Sequence, residues 1–297
     1  MSAGRIAIVG PGAIGSLFAA ALQDAGRPAA VLCGRTRRPA GAVQGPDGQV
    51  TALTSPLVTS YPEAGERADW ILLSVKAHQT ADAAGWLRQL TGAGSRILVL
   101  QNGVDHRERV TPLAGQAAVV PGVLWSPVQP AGAGLVRQLR PARLMVARDA
   151  DGDAVAKLLA GGRVQVELTD DLVTVAWHKL TMNAVSALSA LTARAAGIFR
   201  DEAVAGLARQ LAAECVAVGR AEGADLPDRL ADDVVARLGG RSAGAGSSIL
   251  TDRIAGRRLE WEARNGVIQR LGARHGIATP VSDVIVPLLA ACGPVTD

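Results

Sequence analysis

Arg5-Ile6-Ala7-Ile8-Val9-Gly10-Pro11-Gly12-Ala13-Ile14-Gly15 is the stretch whose reading decides the fold. Arg5–Gly10 is short, apolar, β-branched and closed by glycine, which predicts a buried strand. Ala13–Ala25 predicts a helix. The glycines spell G-x-G-x-x-G across the junction. Gly10 permits the tight turn, Gly12 lets the backbone approach a pyrophosphate, and Gly15 lets the helix pack close to the strand. Ala13 and Ile14 open the helix, whose free N–H groups and dipole would hold the anion. A structural glycine turn that binds nothing is the bland alternative. The strand before and the helix after favour a dinucleotide.

Strand and helix signals keep alternating downstream. Ala29–Cys33 is a second apolar run, Asp69–Val75 and Arg96–Gln101 are buried strands, and a helix is expected near Gln79–Leu90. Gly45-Pro46-Asp47-Gly48 marks a turn between two short strands within residues 41–60. Residues 117–148 suggest two or three strands with turns at Gly132–Gly134 and Pro141, followed by a helix over Asp151–Ala160 and a strand over Val164–Leu168. Such alternation implies an α/β domain over residues 1–168, a Rossmann-type parallel sheet with helices on both faces. From 169 to 297, long Ala/Leu/Arg stretches predict an all-helical C-terminal domain. Its helices are expected near 171–195, 200–222, 228–238, 256–275 and 281–291, with breaks at Gly223, Pro227, Gly239-Gly240 and Gly276.

The end of the second strand bears on which dinucleotide. Cys33-Gly34-Arg35-Thr36-Arg37-Arg38 contains no acid to take ribose hydroxyls. A guanidinium suits a 2′-phosphate, so NADPH/NADP+ is expected, with Arg35 the candidate and Arg37 or Arg38 assisting. Two later strand ends, Ser74-Val75-Lys76-Ala77-His78-Gln79 and Gln101-Asn102-Gly103-Val104, put Lys76, Gln79 and Asn102 where ligands bind in such sheets. Lys76 is expected near the phosphates or nicotinamide ribose, and Asn102 facing nicotinamide and substrate.

In the helical half, Trp177-His178-Lys179-Leu180-Thr181-Met182-Asn183 places Lys179 and Asn183 on one helix face, one turn apart. A buried lysine facing a carbonyl can give a proton as hydride arrives at carbon. Periodicity alone would leave Lys179 in solvent. Ser248, after the glycine-rich run 239–248, could bind a carboxylate oxygen. Glu260 alone reads as an exposed pair with Arg264 at i+4.

The 297-residue chain is 48% hydrophobic and 20% charged, so it is globular rather than disordered. Aromatics at 3% leave the core to Ala, Val, Leu and Ile. A net charge of +4 without basic stripes argues against nucleic acid and suits a small anionic ligand. Cys33, Cys215 and Cys292 form no metal or redox spacing, so no metal is expected. No apolar run reaches the roughly 18 to 20 residues that span a bilayer. No targeting segment is read at the N-terminus, and a cytoplasmic location is expected. The Ala/Leu surface of the helical half is enough for a homodimer and could equally be internal core.

Taken in order, IVGPGAIGSLFAAALQDAG (from Ile8), SVKAHQT (from Ser74), QNGV (from Gln101), WHKLTMNAVSALSALT (from Trp177), SSILTD (from Ser247) and LEWEARNGVIQRLGARHGIATP (from Leu259) resemble the ketopantoate reductase family along nearly the whole chain. The resemblance implies an oxidoreductase acting on CH–OH that reduces 2-dehydropantoate to pantoate with NADPH, on the route to pantothenate and coenzyme A. By the same resemblance, Lys179 is the proton donor, Asn183 its helical asparagine and Glu260 the ligand of the substrate hydroxyl. Ser248 stands near the carboxylate, and Lys76 and Asn102 on the cofactor side. Two departures accompany it. Ala187 stands where relatives often carry a second asparagine, and Ser186, within about 20° of Lys179 on an ideal helix, could supply a hydroxyl instead. Arg35 sits one residue later than the simplest alignment. Reduction of another 2-oxo acid, another dehydrogenase class of the same two-domain plan, and a non-catalytic NADP-sensing protein are the competing readings.

Overall fold

The structure, a computed structural model, describes residues 4–37, 41–132 and 134–293. The chain divides into two compact units. The first comprises Met1–Gln101 and His106–Leu172. The second comprises Val173–Asp297 and takes in Asn102–Asp105 from the earlier sequence.

In the first unit the strands run in sequence as β1 (Ile6–Val9), β2 (Val31–Cys33), β3 (Ala42–Gln44), β4 (Val50–Ala52), β5 (Leu57–Val58), β6 (Trp70–Leu73), β7 (Arg96–Val99), β8 (Ala118–Pro121), β9 (Val123–Trp125), β10 (Val128–Pro130), β11 (Leu135–Gln138), β12 (Ala142–Ala147) and β13 (Val164–Thr169). The main sheet has the order β5-β2-β1-β6-β7-β8, parallel throughout. Side chains alternate across it because successive Cβ atoms in a strand point to opposite faces. Ile6, Ile8, Leu72 and Leu98 join one core with Leu17 and Phe18 of α1 (Ala13–Asp24). Ala7, Val9, Ile71 and Val99 join another with Trp86 and Leu87 of α2 (Ala84–Leu90) and Val110 of α3 (His106–Val110). Helices therefore cover both faces of a Rossmann-type parallel sheet, as the alternation implies.

Residues 117–148 hold more strands than expected. β8 completes the main sheet, β12 pairs with both β9 and β13, and β10 and β11 join β3 and β4 in a sheet of their own. These strands are three to six residues long, too short for a period to show. The turn at Gly45–Gly48 does join two antiparallel strands, β3 and β4. α4 (Ala150–Leu159) is capped by Asp149, whose side chain accepts the Gly152 N–H at 2.8 Å.

The second unit is helical: α5 (Leu172–Val185, its first residue counted with the first unit), α6 (Ala187–Thr192), α7 (Glu202–Ala221), α8 (Leu230–Gly239), α9 (Ser248–Ile254), α10 (Val267–His275) and α11 (Pro280–Ala291). α7 packs against α8, α10 and α11. Among the described residues the unit's buried core is aliphatic apart from Trp177, Phe199 and Cys215. Two expectations need correction, and one helix is additional. The helix expected over 171–195 breaks at Ser186, the one expected from 256 opens at Trp261 with a wide π-type turn over Glu262–Gly266, and α9 follows the glycine-rich run where no helix is expected. Glu214, buried in α7, is structural: its carboxylate accepts the N–H of Val281 (2.6 Å) and both the N–H (2.9 Å) and O–H (2.7 Å) of Ser282, where α11 begins. Burial pushes the thiols of Cys33 and Cys215 up to about 12, so they are inert at neutral pH. Among the described residues no helix is long and apolar enough to cross a membrane.

Candidate functional site: a glycine turn and a buried polar cluster

Two of the three glycines of the turn in the first unit are required by the fold itself. Gly10 has φ +98°, and a Cβ there would lie 2.5 Å from the Val75 nitrogen. At Gly15 a Cβ would lie 2.4 Å from the Gly10 carbonyl oxygen, so the helix could not pack so close. Gly12 has an ordinary φ of −74°, and a Cβ there meets nothing within 4 Å. Nothing inside the chain demands glycine at that position. Gly12 also leads into α1 without a side-chain cap, so the first N–H groups of the helix keep no partner within it. Open backbone plus helix N-terminus fits a dinucleotide pyrophosphate.

Ser74 at the end of β6 donates to the Gly10 carbonyl at 2.7 Å and ties the turn to the sheet. Lys76 follows, half-buried, and its N–H is accepted by Oε1 of Gln79 at 3.3 Å, so Gln79 is engaged in its own turn. Gln101, which no spacing picked out, donates to the Val75 carbonyl (3.1 Å) and to Thr80 Oγ1 (2.9 Å), bracing that loop. Its signal was a buried amide at a strand end. Arg35 is exposed and only 3.9 Å from Asp82, whereas Arg37 gives Nη2 to both oxygens of Glu63 at 3.1 Å. Hydrogen bonds from Ser60 and the Arg37 guanidinium hold that carboxyl below its usual range. Arg38 lies outside the described residues.

The second unit gathers five of the expected residues into one network. Lys179 and Asn183, a turn apart on α5, both donate to Oδ1 of Asn102, at 3.3 and 3.4 Å. Asn102 Nδ2 donates to Oε2 of Glu260 at 3.2 Å. Arg264 Nη2 donates to Asn183 Oδ1 at 3.2 Å and to Ser248 Oγ at 3.0 Å. Glu260 and Arg264 are 4% and 3% exposed, so the surface pair expected from their i+4 spacing is not what forms. The π-type turn carries Arg264 inward, beside Asn265, whose amide donates to the Ala184 carbonyl at 3.2 Å. Wide turns of this kind recur at functional sites. Ser186 is not brought into the network: its hydroxyl donates to the Met182 carbonyl at 2.7 Å. The ideal-helix angle fails there because α5 ends at Val185.

The electrostatics centre on Lys179. Desolvation, then the Arg264 guanidinium, lower its proton affinity; Glu260 opposes them, and the result lies at about 8. Burial also lowers Arg264, against the pull of Glu260 and Asp252. A half-buried, desolvated lysine poised near neutrality can release a proton without leaving a strongly basic amine behind. A rim rich in N–H donors suits an anionic substrate, and the Glu260 carboxylate can accept from a hydroxyl. Sequence reasoning missed Arg264 as a site residue, because its spacing from Glu260 had an ordinary explanation.

Both units of the chain are similar to proteins of one family. The ketopantoate reductase PanE/ApbA family model matches residues 6–150, and the model of the same family's C-terminal part matches 171–292. A 2-dehydropantoate 2-reductase of Caulobacter vibrioides is 41% identical over 289 residues, covering 96% of this chain and 98% of its own. One from Mycobacterium tuberculosis is 41% identical over 286 residues, covering 96% and 97%. A solved dimeric ketopantoate reductase from Staphylococcus aureus superposes with a TM-score of 0.86 at 25% identity, covering 97% of this chain and 98% of that one. With a family model over each half and such identity along nearly its full length, the chain belongs to the ketopantoate reductase family of oxidoreductases.

Proposed function

We propose that this protein reduces 2-dehydropantoate to pantoate with NADPH, in the formation of pantothenate and coenzyme A, and that Lys179 is the general acid. The observation that carries the reading is the half-buried Lys179 ammonium held on Asn102 within one network with Asn183, Glu260, Arg264 and Ser248. Bound NADPH supplies the hydride. Gly12, Ala13, Ile14 and the α1 N-terminus hold the pyrophosphate, with Gly10 and Gly15 shaping the turn. Lys76 adds positive charge at the end of β6, and Arg35 binds the 2′-phosphate.

As the ketone carbon gains hydride, its oxygen gathers charge. Lys179 gives that oxygen a proton and becomes a neutral amine, which its lowered proton affinity makes affordable. Asn102 aims the ammonium, Asn183 donates alongside it, Glu260 accepts from the substrate hydroxyl and Ser248 meets the carboxylate. The 41% identical relatives, which are 2-dehydropantoate 2-reductases, support this substrate. The dimeric Staphylococcus aureus relative supports a homodimer.

The test is NADPH oxidation by the purified protein with 2-dehydropantoate beside a few other 2-oxo acids. Turnover greatest with 2-dehydropantoate is expected, and turnover confined to another 2-oxo acid would move the reading to that substrate. Binding of NADPH with no turnover on any of them would leave a sensor rather than an enzyme. Arg35→Ala is expected to raise the KM for NADPH roughly 10- to 100-fold, the worth of one or two charge-assisted hydrogen bonds, and to leave that for NADH unchanged. An equal effect on both cofactors would remove Arg35 as the phosphate ligand.

A further inference from the structure

Arg264 belongs to no role assigned so far, and its surroundings are unusual. It is 3% exposed, and its Nε and Nη1 find no hydrogen-bond partner among the described residues. Its Nη2 bridges Asn183 Oδ1 (3.2 Å) and Ser248 Oγ (3.0 Å). Burying a guanidinium with donors unspent is costly, so such a group is retained where its charge is used.

We propose that Arg264 is a positioning residue that fixes substrate specificity, turning Asn183 and Ser248 into hydrogen-bond donors so that the site selects a carboxylate-bearing 2-oxo acid. The proposal rests on the reduction reaction above and adds what makes it choose acids. The chemistry is one of polarity. Once Asn183 Oδ1 accepts from Arg264, the amide is held with its oxygen toward the guanidinium and its donor, Nδ2, turned away from it. Once Ser248 Oγ accepts from Arg264, its own O–H is the part left to offer. The Lys179 ammonium and Asn183 Nδ2 each keep hydrogens beyond the one given to Asn102, and together with the Ser248 O–H these donors suit an anionic group better than a neutral ester or amide. The guanidinium charge adds attraction for the same anion.

Arg264→Gln and Arg264→Lys test this in the full-length protein, using the KM of a 2-oxo acid, the KM of its methyl ester, and the pH profile. Arg264→Gln is expected to raise the KM for the acid roughly 10- to 100-fold and that for the ester little, so the preference for acid collapses. The charged groups that act on Lys179 are Arg264, which lowers its proton affinity, and Glu260, which raises it. Loss of the Arg264 charge should therefore move the alkaline limb of activity to higher pH. Arg264→Lys keeps the charge and loses the bridge, so its acid KM rises while the limb stays in place. A variant with merely loosened packing would lose kcat on both substrates without either shift. If the glutamine variant does not fold, the lysine variant carries the test, and an unchanged acid-to-ester preference in it overturns the proposal. Active wild-type protein beside an Arg264→Gln variant with acid KM and limb unmoved also overturns it and leaves the reaction standing. Wild-type protein inactive on every 2-oxo acid overturns the reaction itself, and this inference with it.

Discussion

Lys179→Ala is expected to lower kcat for 2-oxo acid reduction by about 10²- to 10⁴-fold, the usual worth of a positioned general acid. The KM for NADPH should not change, because the glycine turn lies in a unit that Lys179 does not belong to. Lys179→Arg sharpens the point. Arginine keeps a positive charge in the network but does not give up its proton near neutral pH. If Lys179 acts only by attracting the substrate anion, the arginine variant retains activity. If it acts by proton transfer, the arginine variant is nearly as slow as the alanine variant. Steady-state kinetics of the two variants separate these outcomes, and near-normal turnover in both would end the assignment.

Gly12→Val should be the most selective lesion of the cofactor half. Valine is compatible with φ −74° and a Cβ there meets nothing within 4 Å, so folding stability should fall by no more than about 1 kcal/mol, the cost of a poor N-cap residue. The side chain would stand where a pyrophosphate must come close, and affinity for NADPH should fall roughly 100-fold or more, as two charge-assisted hydrogen bonds are lost. Gly10→Val is the contrast. Its φ of +98° and the 2.5 Å approach to the Val75 nitrogen make a side chain strained whatever binds, so stability should fall by about 2–4 kcal/mol. Denaturant unfolding and cofactor titration of both variants provide the check. Equal loss of stability in both would mean that Gly12 serves the fold alone.

The parts legible in the sequence are those encoded locally. A strand, a glycine turn and a helix succeed one another within about twenty residues, so the first unit could be read from Arg5 to Asp24. Lys179 and Asn183 could be placed on one face because α5 is regular between them. What stayed hidden depends on irregularity or distance. The break at Ser186 has no glycine or proline to announce it, and the hydroxyl that bonds Met182 is invisible to a periodicity argument. The π-type turn shifts the phase of its helix, so Arg264 points where a 3.6-residue period would not send it. α9, seven residues capped by Ser247, is too short to register beside a glycine-rich run. Asn102 groups with Lys179 and Glu260 across separations of 77 and 158 residues, a relation no local pattern contains.

The most direct measurement is the pH dependence of kcat/KM for the 2-oxo acid at saturating NADPH. A proton donor must be protonated before it reacts, so activity governed by Lys179 is full below its proton affinity and falls about tenfold per pH unit above it. The expected limb lies at about 8 and disappears from the residual activity of Lys179→Ala. A limb at the ordinary lysine value of about 10, or the same limb in the alanine variant, would contradict Lys179 as the acid.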